Sequence, residues 1–371
     1  MNRSSVIYRR FVAIVSIACA LVLIARSSMA WSAGPSNPMS SVEWEKIVAA
    51  AKHEGKLVLS GAPGELWRDA LVRPFEQKYP EIKIEYTGLN GRDFWPKVKK
   101  EHDIGKHLWD LRIGGPDALN DLSLMLPVRP LLMPENADDG KWLGGLDGLF
   151  IDEQNSYIPG FLAYAASPIT VNRDFIPESQ LSTPEQLLDP KFKGKIVLND
   201  PRGGAGLGYL TVLLKAYGED YIRKLLTQQN IVVTRDNRQM TEWLVRGKYP
   251  IAIGDDSTNM FKFQKAGLGL NIKDLDNGAI GLSMGFGGVM YLDRAPHPNA
   301  AKVYINWLLS AEGQKQVTQK VKLNSRRLDV PPADPGTAVN PKKMSQYVAH
   351  QEFELLAVRN RAKELASELI K

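Results

Sequence analysis

Apolar residues between positions 41 and 54 recur at intervals of three and four, which predicts an amphipathic helix that Gly55 ends. A short apolar run then predicts a strand at Lys56–Ser60. The alternation continues with a helix at Leu66–Tyr79, a strand at Ile82–Thr87, a helix from Asn90 to Val98 and a strand at Trp109–Ile113. Strands and helices that alternate at about thirty residues per unit predict a parallel sheet covered by helices.

The same pattern begins again near residue 195. It predicts strands at Lys195–Asn199, Ile231–Thr234, Pro250–Gly254 and Gly285–Leu292, and helices at Gly206–Tyr217, Asp220–Leu226, Gln239–Val245 and Pro298–Leu309. Two crossing segments, Pro159–Asn172 and Gly281–Leu292, would join two α/β lobes and form a hinge. We therefore predict lobe one at 42–160 plus 285–330 and lobe two at 168–284. The loop and helix at 331–371 stay unassigned, with about the last 25 residues expected to be helical.

The first 33 residues have the pattern of a signal peptide. They contain four arginines and no acid, and an uncharged run from Phe11 to Ala25 follows Arg9 and Arg10. That run is short for a membrane span, which needs about 20 residues, and suits the apolar region of a signal peptide. We expect cleavage near Ala30 or Ala33 and export to the periplasm, rather than an uncleaved membrane anchor.

Composition narrows the class of the exported chain. Of 371 residues, 44% are hydrophobic and 24% charged, which is typical of a globular protein. The net charge of +6 falls to about +2 without the four arginines of the leader, so we expect no nucleic-acid partner. A single cysteine, Cys19, excludes a disulfide framework and a multi-cysteine metal site.

A glycine-rich loop at residues 200–208 is the strongest local signal for a ligand. It follows a predicted strand and opens a predicted helix, where backbone N–H groups can bind an anion that Arg202 could clamp. A tight turn without a ligand explains the same composition. The loop lacks the Gly-Lys-Ser/Thr ending of a phosphate-binding ATPase loop, and its glycines have the wrong spacing for a dinucleotide site.

Three further patterns could carry chemistry. Residues 281–285 match G-x-S-x-G, so a periplasmic hydrolase using Ser283 is the alternative of another class, although a predicted strand rather than a helix follows. His102 and His107 are five residues apart, which does not place both imidazoles on one helical face, so we predict no metal site. Asp255-Asp256-Ser257 follows a predicted strand, where it could bind a ligand or cap the next helix.

The chain resembles the type 2 periplasmic solute-binding proteins of ABC importers. The resemblance covers roughly residues 42–330 and is closest to the branch that binds ferric ion, thiamine, phosphonates and sugar phosphates. The phrases that carry it are Leu57–Ser60, Phe75–Pro80, Lys83–Gly88, Val171-Asn172, Phe192–Ile196 and Asn306–Gln314. The fold it implies is α/β, with two Rossmann-like lobes joined by a two-strand hinge.

The resemblance implies a binding protein that captures a small polar or anionic solute between its lobes and delivers it to a membrane permease. It implies no catalysis and no cofactor, and a monomer by default; a protein that feeds a sensor instead of a permease is equally compatible. The ligand-binding residues carried over are Ala62, Pro63, Asn90, Gly91, Arg92, Gly115, Tyr164, Arg202, Gly203, Gly204, Gly206, Asp255, Asp256, Ser257 and Phe286.

One departure from the branch bears on the ligand. Ferric-binding members often carry two adjacent tyrosines after the strand that corresponds to Pro250–Gly254, and here Asp255-Asp256-Ser257-Thr258 stands there. A ferric- or thiamine-binding protein of the same family is therefore the alternative. An organic solute with a carboxylate or phosphate is the main expectation, with Arg92 and Arg202 facing the anion, unless these arginines and Arg112 serve only as surface or packing residues.

Overall fold

The computed structural model describes residues 39–255, 257–275 and 277–370, so the predicted signal peptide and Asp256 lie outside the described residues. The helices are α1 Ser41–Glu54, α2 Glu65–Lys78, α3 Gly91–Asp103, α4 Gly204–Gln228, α5 Asn237–Val245, α6 Ser257–Lys265, α7 Pro298–Leu309, α8 Ala311–Val321 and α9 Leu356–Leu369. The strands are β1 Lys56–Gly61, β2 Lys83–Gly88, β3 Leu111–Gly114, β4 Met125–Leu126, β5 Tyr164–Ala166, β6 Ile169–Asn172, β7 Ile196–Asn199, β8 Val232–Thr234, β9 Ile251–Ile253, β10 Ile272–Asp274, β11 Ile280–Ser283, β12 Gly288–Leu292 and β13 Tyr347–Val348.

The first sheet has the strand order β2-β1-β3-β12-β4. β1 pairs in parallel with β2 and β3, and β12 runs antiparallel to β3 and β4. Helices α1, α2, α7 and α8 cover it, and their apolar faces bury a core that includes Phe75, Tyr304 and Trp307. Parallel strands place the carboxyl ends of β1, β2 and β3 at one edge, where ligands bind in open α/β sheets.

The second sheet has the order β10-β6-β9-β7-β8, with β7 parallel to β8 and β9. Its core is separate from the first and includes residues of α4 such as Leu207 and Leu210. The helix α4 bends at Gly218, whose φ of 80° and ψ of 174° are not helical. The two helices expected at Gly206–Tyr217 and Asp220–Leu226 therefore lie on either side of a sharp bend.

A small third sheet, of order β13-β11-β5, joins the two. β5 runs antiparallel to β11, as two crossing segments of a hinge would. A third segment takes part as well, because β13 near the C-terminus pairs in parallel with β11. The strand expected at Gly285–Leu292 begins only at Gly288, since residues 284–287 turn the chain between β11 and β12.

The C-terminal region departs from the expected long helix. Only Leu356–Leu369 is α-helical, and α9 packs along α4, with Ala362, Leu365 and Ala366 in the core of the second sheet. Within the part of the chain that the structure describes, each helix is too short or too polar to cross a membrane. We propose that lobe one comprises the first sheet and its helices and lobe two the second sheet, to which α9 adds a further helix.

Candidate functional site

Three loops of the first sheet meet at the carboxyl ends of its parallel strands. Ala62 is buried behind β1, and its carbonyl accepts a hydrogen bond from the hydroxyl of Tyr86. Pro63 is exposed, and its loop lies against the end of β2. A β-carbon on Gly88 would come within 3.0 Å of Cα of Pro63. The exposed Asn90 precedes α3, and its side chain does not cap that helix. The predicted residues Ala62, Pro63 and Asn90 therefore share one edge.

Gly91 and Gly115 lie close together on the same edge. The carboxylate of Asp117, in the short 3₁₀ turn Pro116–Asn120, sits against Gly91 so closely that a β-carbon there would overlap it. A β-carbon on Gly115 would lie 3.7 Å from the carbonyl oxygen of Gly285, in the turn between β11 and β12. Tyr164 reaches that turn from β5, because its hydroxyl would lie 2.7 Å from a β-carbon on Gly285.

The glycine-rich loop forms the facing edge of the second sheet. Gly206 has no room for a side chain, because a β-carbon would collide with the carbonyl oxygen of Asn199 at the end of β7. Gly204 begins α4 with a φ of 61°, and no side chain caps the helix at Gly203. The loop therefore presents the N-terminus of α4 without side chains over it, as an anion site requires.

The two edges meet at Arg92. This exposed residue is the second of α3, and its Nη2 would lie 3.7 Å from a β-carbon on Gly204. The Arg92 guanidinium at the start of α3 therefore lies beside Gly204 at the start of α4. Helix N-termini carry partial positive charge, so all three features favour an anion there.

Arg202 does not point to that space as a free guanidinium. Its Nε and Nη2 bind the two oxygens of Asp200 at 2.8 and 2.9 Å, and Arg235 binds the same carboxylate at 2.6 Å. Burial would raise the pKa of Asp200, but the hydrogen bonds from both arginines hold it below its usual value. The two hydrogen bonds that Arg202 was expected to donate to a ligand anion are therefore made to Asp200 instead.

The acidic segment after β9 is described only in part. Asp255 accepts a hydrogen bond from the hydroxyl of Thr241 at 2.8 Å, whereas Asp256 and the side chain of Ser257 lie outside the described structure. Nearby, the amide of Asn199 donates to Asn237 at 2.7 Å. Asp255 therefore stands at the carboxyl end of a strand of the second sheet, as its place in the sequence predicts.

The predicted ligand-binding residue Phe286 is a partly exposed aromatic side chain that contacts Trp67 of α2, the helix that follows the loop after β1. It sits in the turn between β11 and β12, is 38% exposed, and meets Trp67 edge to face with ring centroids 5.9 Å apart. The edge-to-face geometry is a favourable one for aromatic pairs. The pair links the turn of the hinge to α2 of the first lobe.

Sequence patterns missed the most unusual side chain of this edge, Arg112. It lies on β3, is 1% exposed, and packs over the ring of Phe94 at 4.8 Å. Its Nη1 donates to Ser60 Oγ at 2.7 Å and to the carbonyl of Gly61 at 3.2 Å. Its Nε and Nη2 are buried without a hydrogen-bond partner among the described residues.

The electrostatics of Arg112 follow from this burial. Burial disfavours the charged form and lowers the pKa of Arg112 to about 10, although the nearby Asp117 opposes the shift. Buried polar groups in proteins are nearly always hydrogen-bonded, so the unpaired Nε and Nη2 of Arg112, beside the carboxyl end of β1, make it a candidate for binding an anion. The signal in the sequence was only an arginine inside an apolar strand.

Ser283 has the environment of a structural residue. Its hydroxyl donates to Oε1 of Gln351 at 2.9 Å and accepts from the N–H of Gly285 at 3.0 Å. The motif lies between two strands, and in the described structure no histidine is bonded to that hydroxyl. A nucleophilic serine needs an adjacent base, so the geometry does not favour the hydrolase alternative.

His102 and His107 come together in the folded chain despite their spacing. Their rings meet edge to face with centroids 4.6 Å apart, and His102 Nε2 lies 3.3 Å from a carboxylate oxygen of Asp293. Among the described residues, no three side chains of the metal-binding types are grouped so that they could hold an ion.

Comparisons with known proteins bear on the family and the fold. Residues 160–320 match the sequence model of the family described as bacterial extracellular solute-binding protein. No curated protein matches the chain in sequence.

Solved structures show the fold. Iron-bound HitA from Pseudomonas aeruginosa has a TM-score of 0.63 at 19% identity, over 85% of this chain and 99% of its own. AfuA from Actinobacillus pleuropneumoniae, with exogenous fructose-6-phosphate bound, has 0.60 at 19%, over 85% and 98%. The ferric binding protein from Campylobacter jejuni has 0.63 at 15%, over 85% and 99%.

The fold is that of the type 2 periplasmic binding proteins, which confirms the α/β fold of two joined lobes predicted from the sequence. The family match over 160–320 confirms the predicted resemblance to extracellular solute-binding proteins. The matched family is described as solute-binding, and the neighbouring structures are described as binding proteins.

Proposed function

We propose that this protein is the periplasmic binding component of an ABC importer for a small anionic solute bearing a phosphate or a carboxylate. The observation that carries the proposal is Arg112, a fully buried guanidinium with two unmet N–H groups at the strand ends of lobe one. A bound anion would supply the missing acceptors, and such charge-assisted hydrogen bonds are the strong ones.

Further positively charged groups would face an anion in the space between the lobes. Arg92 and the N-termini of α3 and α4 line that space, while the guanidinium of Arg202 is already hydrogen-bonded to Asp200. We therefore propose that Arg112, and not Arg202, binds the anion, and that the exposed Arg92 contacts it as well. Gly115, Gly203 and Gly204 would let the ligand approach the backbone, whereas Gly91 and Gly206 allow close packing within the protein. Tyr164, Phe286 and Asp255 would contact the rest of the solute.

Closure would bury the ligand between both walls and present both lobes to a permease. The exported form would be a monomer, released from its signal peptide near Ala30 or Ala33, and would have no nucleic-acid partner. If the protein instead binds ferric ion or thiamine, ferric citrate or a thiamine phosphate would give the largest shift in the screen described below.

A thermal-shift screen of ligand-stripped protein tests the proposal. The panel contains inorganic phosphate, sugar phosphates, phosphonates, small dicarboxylates, ferric citrate and thiamine phosphates. A ligand at 100 times its Kd stabilises the protein by about 2.7 kcal/mol, which is readily measured. We expect a shift with a phosphate or carboxylate that Arg112→Met abolishes and Arg202→Ala retains. A shift with ferric citrate alone, and with none of the iron-free anions, would contradict the anion site.

A further inference from the structure

The C-terminal segment joins both lobes at the candidate site. Phe353 donates its backbone N–H to the carbonyl of Ile151 at 2.9 Å, and Gln351 binds the backbone N–H groups of Met284 and Gly285. A few residues later, α9 belongs to the core of lobe two. The segment therefore crosses the hinge where the strand ends of both sheets face each other.

One arginine of α9 turns back toward lobe one. Arg359 is 5% exposed, and its Nη2 lies 3.4 Å from Oδ1 of Asp117. Its Nη1 is buried and has no hydrogen-bond partner among the residues that the structure describes. A single long contact to one carboxylate leaves this guanidinium far from satisfied.

Asp117 is the common neighbour of two such arginines. It also faces Arg112 electrostatically, and its other carboxylate oxygen lies against Gly91 at the start of α3. One carboxylate thus lies near two buried guanidinium groups, each with at least one buried nitrogen that has no hydrogen-bond partner among the described residues. The cluster carries a net positive charge, and Arg92 adds to it from the mouth of the site.

We propose that Arg359 is a ligand-binding residue, so that the C-terminal helix supplies one wall of the anion site and Asp117 positions Arg359 for the ligand. The inference rests on the proposed function. Arg112, Arg359 and Arg92 carry positive charge, and Asp117 is the one carboxylate near the two buried arginines. The excess of positive charge suits a solute with two negative charges, such as a phosphate monoester or a dicarboxylate. The phosphate or carboxylate would then bind both lobes and α9 together.

Isothermal titration of the full exported chain with inorganic phosphate and with citrate tests this inference. We expect Arg359→Ala to weaken binding of the better probe by roughly tenfold or more, the loss of a charge-assisted hydrogen bond. Arg361→Ala is the matched control on the same helix, because Arg361 pairs with Glu219 and Glu364, away from lobe one. We expect it to bind as the wild type does.

Asp117→Asn gives a second readout, of the charge around both guanidinium groups. The amide keeps an oxygen for Arg359 but removes the competing charge, so we expect binding to become several-fold tighter. Wild-type affinity in Arg359→Ala, with binding lost in Arg112→Met, would overturn this inference and leave the proposed function standing. Failure of the wild type to bind either probe would overturn both. If Arg359→Ala does not fold, Arg359→Gln takes its place, and wild-type affinity in that variant would overturn the inference.

Discussion

Replacing Arg112 with methionine should stabilise the ligand-free protein. Its pKa, lowered to about 10 from 12.5, means that burial makes the charged side chain cost about 3 kcal/mol relative to its neutral form. Methionine fills a similar volume and keeps contact with the ring of Phe94. The lost hydrogen bonds to Ser60 and Gly61 subtract about 1 to 2 kcal/mol, so we expect a net gain of about 1 to 2 kcal/mol.

Equilibrium unfolding in urea, after refolding to strip the ligand, measures this gain as a higher midpoint. Arg327→Met is the matched control, because Arg327 is also buried but binds Asp329, Asn136 and the carbonyl of Leu309. Removing one partner of a buried charged pair costs about 3 to 5 kcal/mol, so this variant should unfold far earlier. A loss of more than about 2 kcal/mol in Arg112→Met would refute the reasoning, because it would show that the guanidinium is satisfied in the free protein.

Two other predictions concern stability. Burial lowers the pKa of His350 to about 3, below its value near 6.5 in the unfolded chain, so stability should fall by up to about 1.4 kcal/mol per unit as the pH drops below 6.5. His350→Gln should flatten that profile in urea unfolding and His53→Gln, at an exposed site, should not; equal slopes would contradict it. Gly206→Ala should cost about 2 to 3 kcal/mol through collision with Asn199. Gly203→Ala, in extended backbone with open space around it, should be close to neutral, and equal effects would show that the loop is not tightly packed.

Local patterns predicted most helices and strands because they depend on local chemistry. Ser40 caps α1 by accepting from Glu43 N–H, and Gly55 ends it in the left-handed conformation, as their positions predict. The helix Pro298–Leu309 has the predicted bounds. Where such signals are lacking, the ends of the elements differ from the predicted ones. The helix α3 continues five residues past Val98, and β3 begins two residues after Trp109.

The C-terminal region and the charged centre of the site could not be predicted in the same way. β13 is too short to have a period, and it forms only because β11 lies beside it. Arg202 looked free in the sequence, but Asp200 two residues earlier turns back to bind it. Arg112 looked like an isolated arginine in an apolar strand, and its unmet N–H groups follow from the tertiary packing of β1, β3 and α3.

The proposed function requires that a single anion binds between the lobes through Arg112. The most direct test is isothermal titration of ligand-stripped protein, wild type and Arg112→Met, with the ligand that gives the largest thermal shift. The account predicts one site per chain in the wild type and a loss of at least about a hundredfold in the variant while it stays folded. Equal affinity in both proteins would contradict it.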